Sequence, residues 1–96
     1  MRLTFSNEAI RDIREIRQYM SHMYLGTARR FQLELSQKAA NVRKNPYMYP
    51  IYNLEPEYRR VIVDKNYIML YKINEDTQRV RVYHVLAGQM DIINYL

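Results

Sequence analysis

Residues 58–96, YRRVIVDKNYIMLYKINEDTQRVRVYHVLAGQMDIINYL, decide the fold of this chain. Three runs within them, Tyr58–Asp64, Tyr67–Ile73 and Arg79–Leu86, are rich in Val, Ile, Leu and Tyr. Such residues suit a pleated, half-buried surface, so each run is expected to be a strand. Lys65-Asn66 stands between the first two as a two-residue hairpin turn, and Asn74–Gln78 is a longer polar turn before the third. Gly88 breaks the pattern, and Asp91–Leu96 is expected to form one helical turn or a docked tail.

The turn sets the register. If Lys65-Asn66 is the whole turn, Asp64 pairs with Tyr67, and paired residues share a face. One face then carries Val61, Val63, Ile68, Leu70, Val80, Val82 and Leu86, with His84 near its end. This aliphatic face is expected to lie beneath helices. The other carries Tyr58, Arg60, Ile62, Tyr67, Met69, Tyr71, Arg79, Arg81 and Tyr83. Tyrosine and arginine interleaved in this way suit a binding surface for protein or nucleic acid. Coverage of that face by another part of the chain is the alternative.

Working outward, Arg2–Phe5 alternates like a short first strand. Ser6 can cap a helix whose apolar stripe is Ala9, Ile13, Ile16, Met20 and Met23, with Glu8 placed favourably in its first turn. Gly26 ends it. Thr27 can cap a second helix with the stripe Ala28, Phe31, Leu35, Ala39 and Val42, which Asn45-Pro46 stops. Residues 46–57 hold all three prolines and are expected to be an extended connector. The fold class expected is α+β: a short N-terminal strand and a two-helix antiparallel hairpin packed on a three-stranded C-terminal antiparallel meander, one domain over residues 1–96.

Composition bounds function loosely. The net charge is +5. Residues 1–45 hold nine Lys/Arg against four Asp/Glu, and residues 46–96 hold six of each. A basic first half points to an acidic partner or nucleic acid, or simply to a solvated helix surface. There is no cysteine, hence no disulfide frame or thiolate chemistry. No apolar run approaches the roughly 18 residues of a membrane span, and a cytoplasmic location is expected. His22 and His84 are too far apart in sequence to suggest a metal site. His22 suits a helix C-terminus. His84 is either a hydrogen-bonded structural residue or an acid–base group working with Arg60, Arg81 or Tyr83.

Tyr58-Arg59-Arg60, then Asn66-Tyr67-Ile68-Met69-Leu70-Tyr71, then His84-Val85-Leu86-Ala87-Gly88-Gln89-Met90-Asp91 occur in an order and spacing that resemble the bacterial RelE/ParE family of type II toxins. The ending Gly88-Gln89-Met90-Asp91-Ile92…Leu96 is closer to ParE. The resemblance covers nearly the whole chain. It implies a toxin without cofactor, neutralised by a cognate antitoxin and contacting operator DNA only through it. ParE-like members are understood to poison DNA gyrase. RelE-like members cut messenger RNA on the ribosome, which would make Arg59, Arg60, Lys65, Arg79, Arg81, Tyr83 and His84 the catalytic candidates. Three polar positions of the RelE pattern are changed here: Ile68 replaces an arginine, Gln89 an arginine, and Ala87 an aromatic or histidine. The expected partner-binding residues are Arg11, Arg14, Arg17, Arg29 and Arg30 on the hairpin, with Arg60, Tyr67, Tyr71, Arg81 and Tyr83 on the sheet. A third possibility is a degenerate member kept as a non-toxic binding module.

Overall fold

The computed structural model describes residues 1–23, 26–54 and 57–88. The elements are β1 (Arg2–Phe5), α1 (Asn7–Met23), α2 (Thr27–Lys44), β2 (Ile51–Leu54), β3 (Glu57–Val63), β4 (Tyr67–Asn74) and β5 (Arg79–Ala87). They form a helical hairpin on one side of a five-stranded mixed sheet of order β1-β5-β4-β3-β2. β1 runs parallel to β5; the other pairings are antiparallel. The expected tail, Asp91–Leu96, lies outside the described residues.

Both helices form as their stripes require. Ser6 Oγ accepts the Ala9 backbone N–H at 3.0 Å, which caps α1. The same hydroxyl donates to the Tyr83 carbonyl, and the Ser6 N–H donates to the Val82 carbonyl, so the cap also fastens α1 to β5. Met23 is an exception in the α1 stripe, being exposed. Thr27 does not cap α2 but is its first helical residue. The N-cap is Gly26, whose φ of 83° is the left-handed conformation that glycine adopts without steric cost. Phe31, Leu35, Ala39 and Val42 are all buried.

The connector contains a strand. β2 pairs with β3 through Ile51 and Arg59, with a register irregularity between Ile51 and Asn53. Pro50 immediately precedes this edge strand, where its missing N–H costs no ladder bond. The sheet therefore has two strands more than the meander, one at each edge.

The face assignment of β4 is reversed from the one expected. Val63, not Asp64, pairs with Tyr67, so the turn has three residues. Asp64 and Lys65 take positive φ values of 49° and 64°. α2 holds this turn: the Glu34 carboxylate accepts the Asp64 N–H, and the Arg30 guanidinium lies 3.3 Å from the Asp64 carboxylate. A slip of one residue moves every side chain of β4 to the other face. Tyr67, Met69 and Tyr71 thus join the helix-side core with Val61, Val63, Val80, Val82 and Val85, while Ile68, Leu70 and Leu86 form a second buried cluster with Tyr58. A bulge adds a second shift. Leu70 pairs with His84 but Tyr71 with Val82, which leaves Tyr83 as the extra residue of β5.

Candidate functional site

Two surfaces gather the side chains that could meet another molecule. The first is a groove of about 830 Å³ between α1, α2 and the β1 edge. Leu3, Phe5, Ile10, Ile13, Leu35, Ala39 and Ala40 supply its apolar lining; Arg14, Arg17, His22 and Arg43 supply its basic groups. The remaining lining residues are Gln18, Ser21, Gln32 and Ser36, so among the described residues no carboxylate lines it. This charge pattern follows from helical periodicity: Arg14, Arg17 and Ser21 lie one step round from the core stripe of α1, and Gln32, Ser36 and Arg43 do the same on α2.

The second surface is the sheet face away from the helices. Lys72 stands near its centre, with Nζ 4.9 Å from the Tyr58 ring centroid and 5.3 Å from that of Tyr83. The two rings meet edge to face at 5.9 Å. Arg81 lies opposite Lys72 in the register, its guanidinium 5.8 Å from the Tyr83 ring and donating to Thr4 Oγ1 at 3.2 Å. Burial pushes the Tyr58 phenol above its ordinary pKa, so it stays neutral here.

The expected site residues separate across the molecule. Arg14 and Arg17 line the groove. Arg11 and Arg29 are exposed on the helices away from it, and Arg30 is engaged with Asp64. Arg60, Arg79, Arg81 and Tyr83 share the open sheet face as expected. Tyr67 and Tyr71 do not. Tyr67 packs edge to face on Phe31 at 5.2 Å. Tyr71 is fully buried, and its hydroxyl donates to the Pro46 carbonyl. Both rings lie on the helix side of the sheet because the three-residue turn rotates β4, Tyr71 fully buried and Tyr67 half-buried.

The RelE-type catalytic candidates do not form one cluster. Arg59 is a structural brace: its Nη1 donates to the Tyr49 carbonyl at 2.7 Å and its Nη2 lies 3.7 Å from Glu57. Lys65 sits in the β3–β4 turn, while Arg79 begins β5 at the other end of the sheet from Ala87, the partner of Tyr67. His84 is turned toward α1. Its Nδ1 lies 3.4 Å from Asp12 Oδ2, and the same oxygen accepts the Val85 N–H at 3.0 Å. This clasp covers the stretch of β5 beyond Val82, where β1 pairing ends. Asp12, Arg43 and Lys72 were not among the candidates. Arg43 was findable from its place beside the α2 stripe; Lys72 was not, because the register hid its face.

The arrangement, two helices on one side of a mixed five-stranded sheet, defines a RelE/ParE-like fold. A family model described as the ParE toxin of type II toxin–antitoxin systems, parDE, matches residues 3–92, and the chain belongs to that family. Among solved structures it is similar to a chain from the intact E. coli RelBE toxin–antitoxin complex. The TM-score is 0.65 and the identity 20%, over 93% of this chain and 98% of that one. At this identity the likeness speaks for the fold. No curated protein sequence matches the chain.

Proposed function

We propose that this chain is a toxin that acts by docking on DNA gyrase and is neutralised by an acidic antitoxin segment. The groove between α1 and α2 is the observation that carries this reading. It pairs an apolar lining with Arg14, Arg17 and Arg43 and, among the described residues, contains no carboxylate. An amphipathic segment with one apolar and one acidic face complements it, through helix-in-groove packing and opposite charge. If gyrase meets the same surface, the antitoxin neutralises by excluding it.

The choice of gyrase over the ribosome is supported by the dispersal of the acid–base candidates. Cleavage of RNA needs a base for the 2′-hydroxyl and an acid for the leaving oxygen within reach of one phosphate. Here the imidazole of His84 faces Asp12, Arg59 braces the connector, and Lys65 and Arg79 stand at opposite ends of the sheet. A docking protein needs no such set.

The test is in vitro. Purified gyrase supercoils relaxed plasmid in the presence of increasing toxin, and a coupled translation reaction receives the same concentrations. Loss of supercoiling with translation intact is expected. Loss of translation with supercoiling intact would reverse the assignment in favour of the ribonuclease reading.

A further inference from the structure

Residues 1–45 hold four carboxylates, Glu8, Asp12, Glu15 and Glu34, and none of them lines the groove between α1 and α2. Asp12 clasps His84 and the Val85 N–H, and Glu34 accepts the Asp64 N–H. Glu15 borders a different depression, beside Tyr19 and Tyr67, and Glu8 lies in the first turn of α1. Arg14, Arg17 and Arg43 are exposed along the groove, and among the described residues none of them makes an ion pair. A guanidinium keeps its charge at every physiological pH and presents a planar fork that matches a carboxylate.

Neutral polar groups of the groove are satisfied within their own helices. Ser21 Oγ donates to the Arg17 carbonyl at 2.8 Å, and Gln32 Nε2 donates to Ser36 Oγ at 3.4 Å. The arginines therefore carry the selection of a ligand. Beneath them, Leu3, Phe5 and Ile13 are only half-buried and Ile10 is exposed, although all four line the groove. Such a floor still has apolar surface to remove from water. The groove volume, about 830 Å³, falls within the roughly 300–1,000 Å³ of small-molecule sites.

We propose that the groove binds one free fatty acid, its hydrocarbon chain on Leu3, Phe5, Ile10 and Ile13 and its carboxylate on Arg14 and Arg17. A fatty acid has one anionic group and no other polar atom, so its chain leaves no donor or acceptor unpaired on this floor. A cationic amphiphile of the same length meets three like charges and, among the described residues, no carboxylate. The inference rests on the docking reading of the groove and gives that site a small competitor: the bound acid excludes an apolar and acidic antitoxin segment. The binding step itself does not depend on which enzyme the toxin poisons.

The experiment is isothermal titration of the full-length toxin with sodium dodecanoate below its micelle concentration. Decanoate, octanoate and dodecyltrimethylammonium are titrated in parallel. One dodecanoate per chain is expected, with affinity falling about fourfold for each methylene removed. Amide shifts in the NMR spectrum should fall on β1, α1 and α2. Arg14→Gln with Arg17→Gln should weaken binding about tenfold or more, since both charge-assisted contacts are lost. Both positions are exposed, so the melting temperature should hold. Lys72→Gln with Arg81→Gln, the same charge change on the opposite side of the sheet, should leave binding unchanged. Absence of saturable dodecanoate binding overturns the proposal. So does equal binding of the cationic amphiphile, which would mean unselective apolar contact, or equal weakening by the sheet variant, which would mean diffuse charge attraction. Binding to phosphatidylglycerol vesicles without binding of the monomeric acid overturns it in favour of a membrane surface. Dodecanoate should also relieve inhibition of gyrase supercoiling by the toxin. Binding without relief keeps the fatty-acid site and overturns the docking reading of the groove.

Discussion

On the helix-covered face of the sheet, cross-strand neighbours are Val61 with Met69, Met69 with Val85, and Tyr71 with Val82. On the open face they are Lys72 with Arg81 and Arg2 with Arg79. β4 and β5 contribute to both. The first set buries apolar surface from every direction, with each residue essentially inaccessible. The second set places mutually repelling cations where stability alone would place opposite charges or threonine. The difference teaches where this chain spends stability: one face folds the protein, and the other keeps charge available.

The largest effect expected from breaking that comparison lies in the core. Phe31 is fully buried and packs on Tyr67. Phe31→Ala should cost about 3–5 kcal/mol in urea unfolding, whereas Ile62→Ala, at an exposed position of β3, should stay within about 0.5 kcal/mol. Next comes the groove. Arg14→Glu with Arg17→Glu should raise the toxin concentration for half-inhibition of gyrase by about 100-fold, since like charges across an interface cost several kcal/mol. The urea midpoint of that variant should be unchanged, because both residues are exposed.

A smaller effect is expected at the junction of the two faces. Asp12→Ala leaves the Val85 N–H without its acceptor and His84 without its partner, and should cost about 1–3 kcal/mol. Hydrogen exchange should then quicken at Val85 while the β3–β4 ladder stays protected. Smallest is Tyr71→Phe, which removes the hydroxyl bonded to the Pro46 carbonyl and should cost about 1 kcal/mol at neutral pH. Burial pushes the Tyr71 phenol up to about 12. The unfolded chain therefore loses this proton first as pH rises through about 10, and the folded chain only near 12. Stability linked to Tyr71 is present below pH 10 and is lost between the two values. Urea unfolding at pH 8 and pH 11 should show a smaller alkaline loss in Tyr71→Phe than in the parent chain.

Much of the fold was legible in the residues. The stripes of α1 and α2, the Ser6 cap and the spans of β3, β4 and β5 follow from periodicities of 3.6 and 2 and from one hydroxyl. The reversal of β4 was not legible. Its cause is a third turn residue in left-handed conformation, and neither Asp64 nor Lys65 is a glycine that would signal it. What stabilises that turn is Glu34 and Arg30, on a helix some 30 residues earlier. A local pattern cannot contain a contact of that range. The extra residue at Tyr83 was hidden in the same way, since its reason is the transfer of β5 from β1 to the Ser6 and Asp12 side chains. Both shifts fall on the strands that carry the sheet candidates. Consequently Arg60, Arg79, Arg81 and Tyr83 were placed on the correct face, Tyr67 and Tyr71 on the wrong one, and Lys72 was missed. On the helices, where the period is unambiguous, Arg14 and Arg17 were recognisable as paired charges, but the β1 edge that completes their groove was not.

The measurement that bears most directly on the central claim is pulse labelling of DNA and protein synthesis in the first minutes after induction of the toxin without antitoxin. The account predicts an early fall in DNA synthesis while translation continues. An early fall in translation with DNA synthesis intact would contradict it.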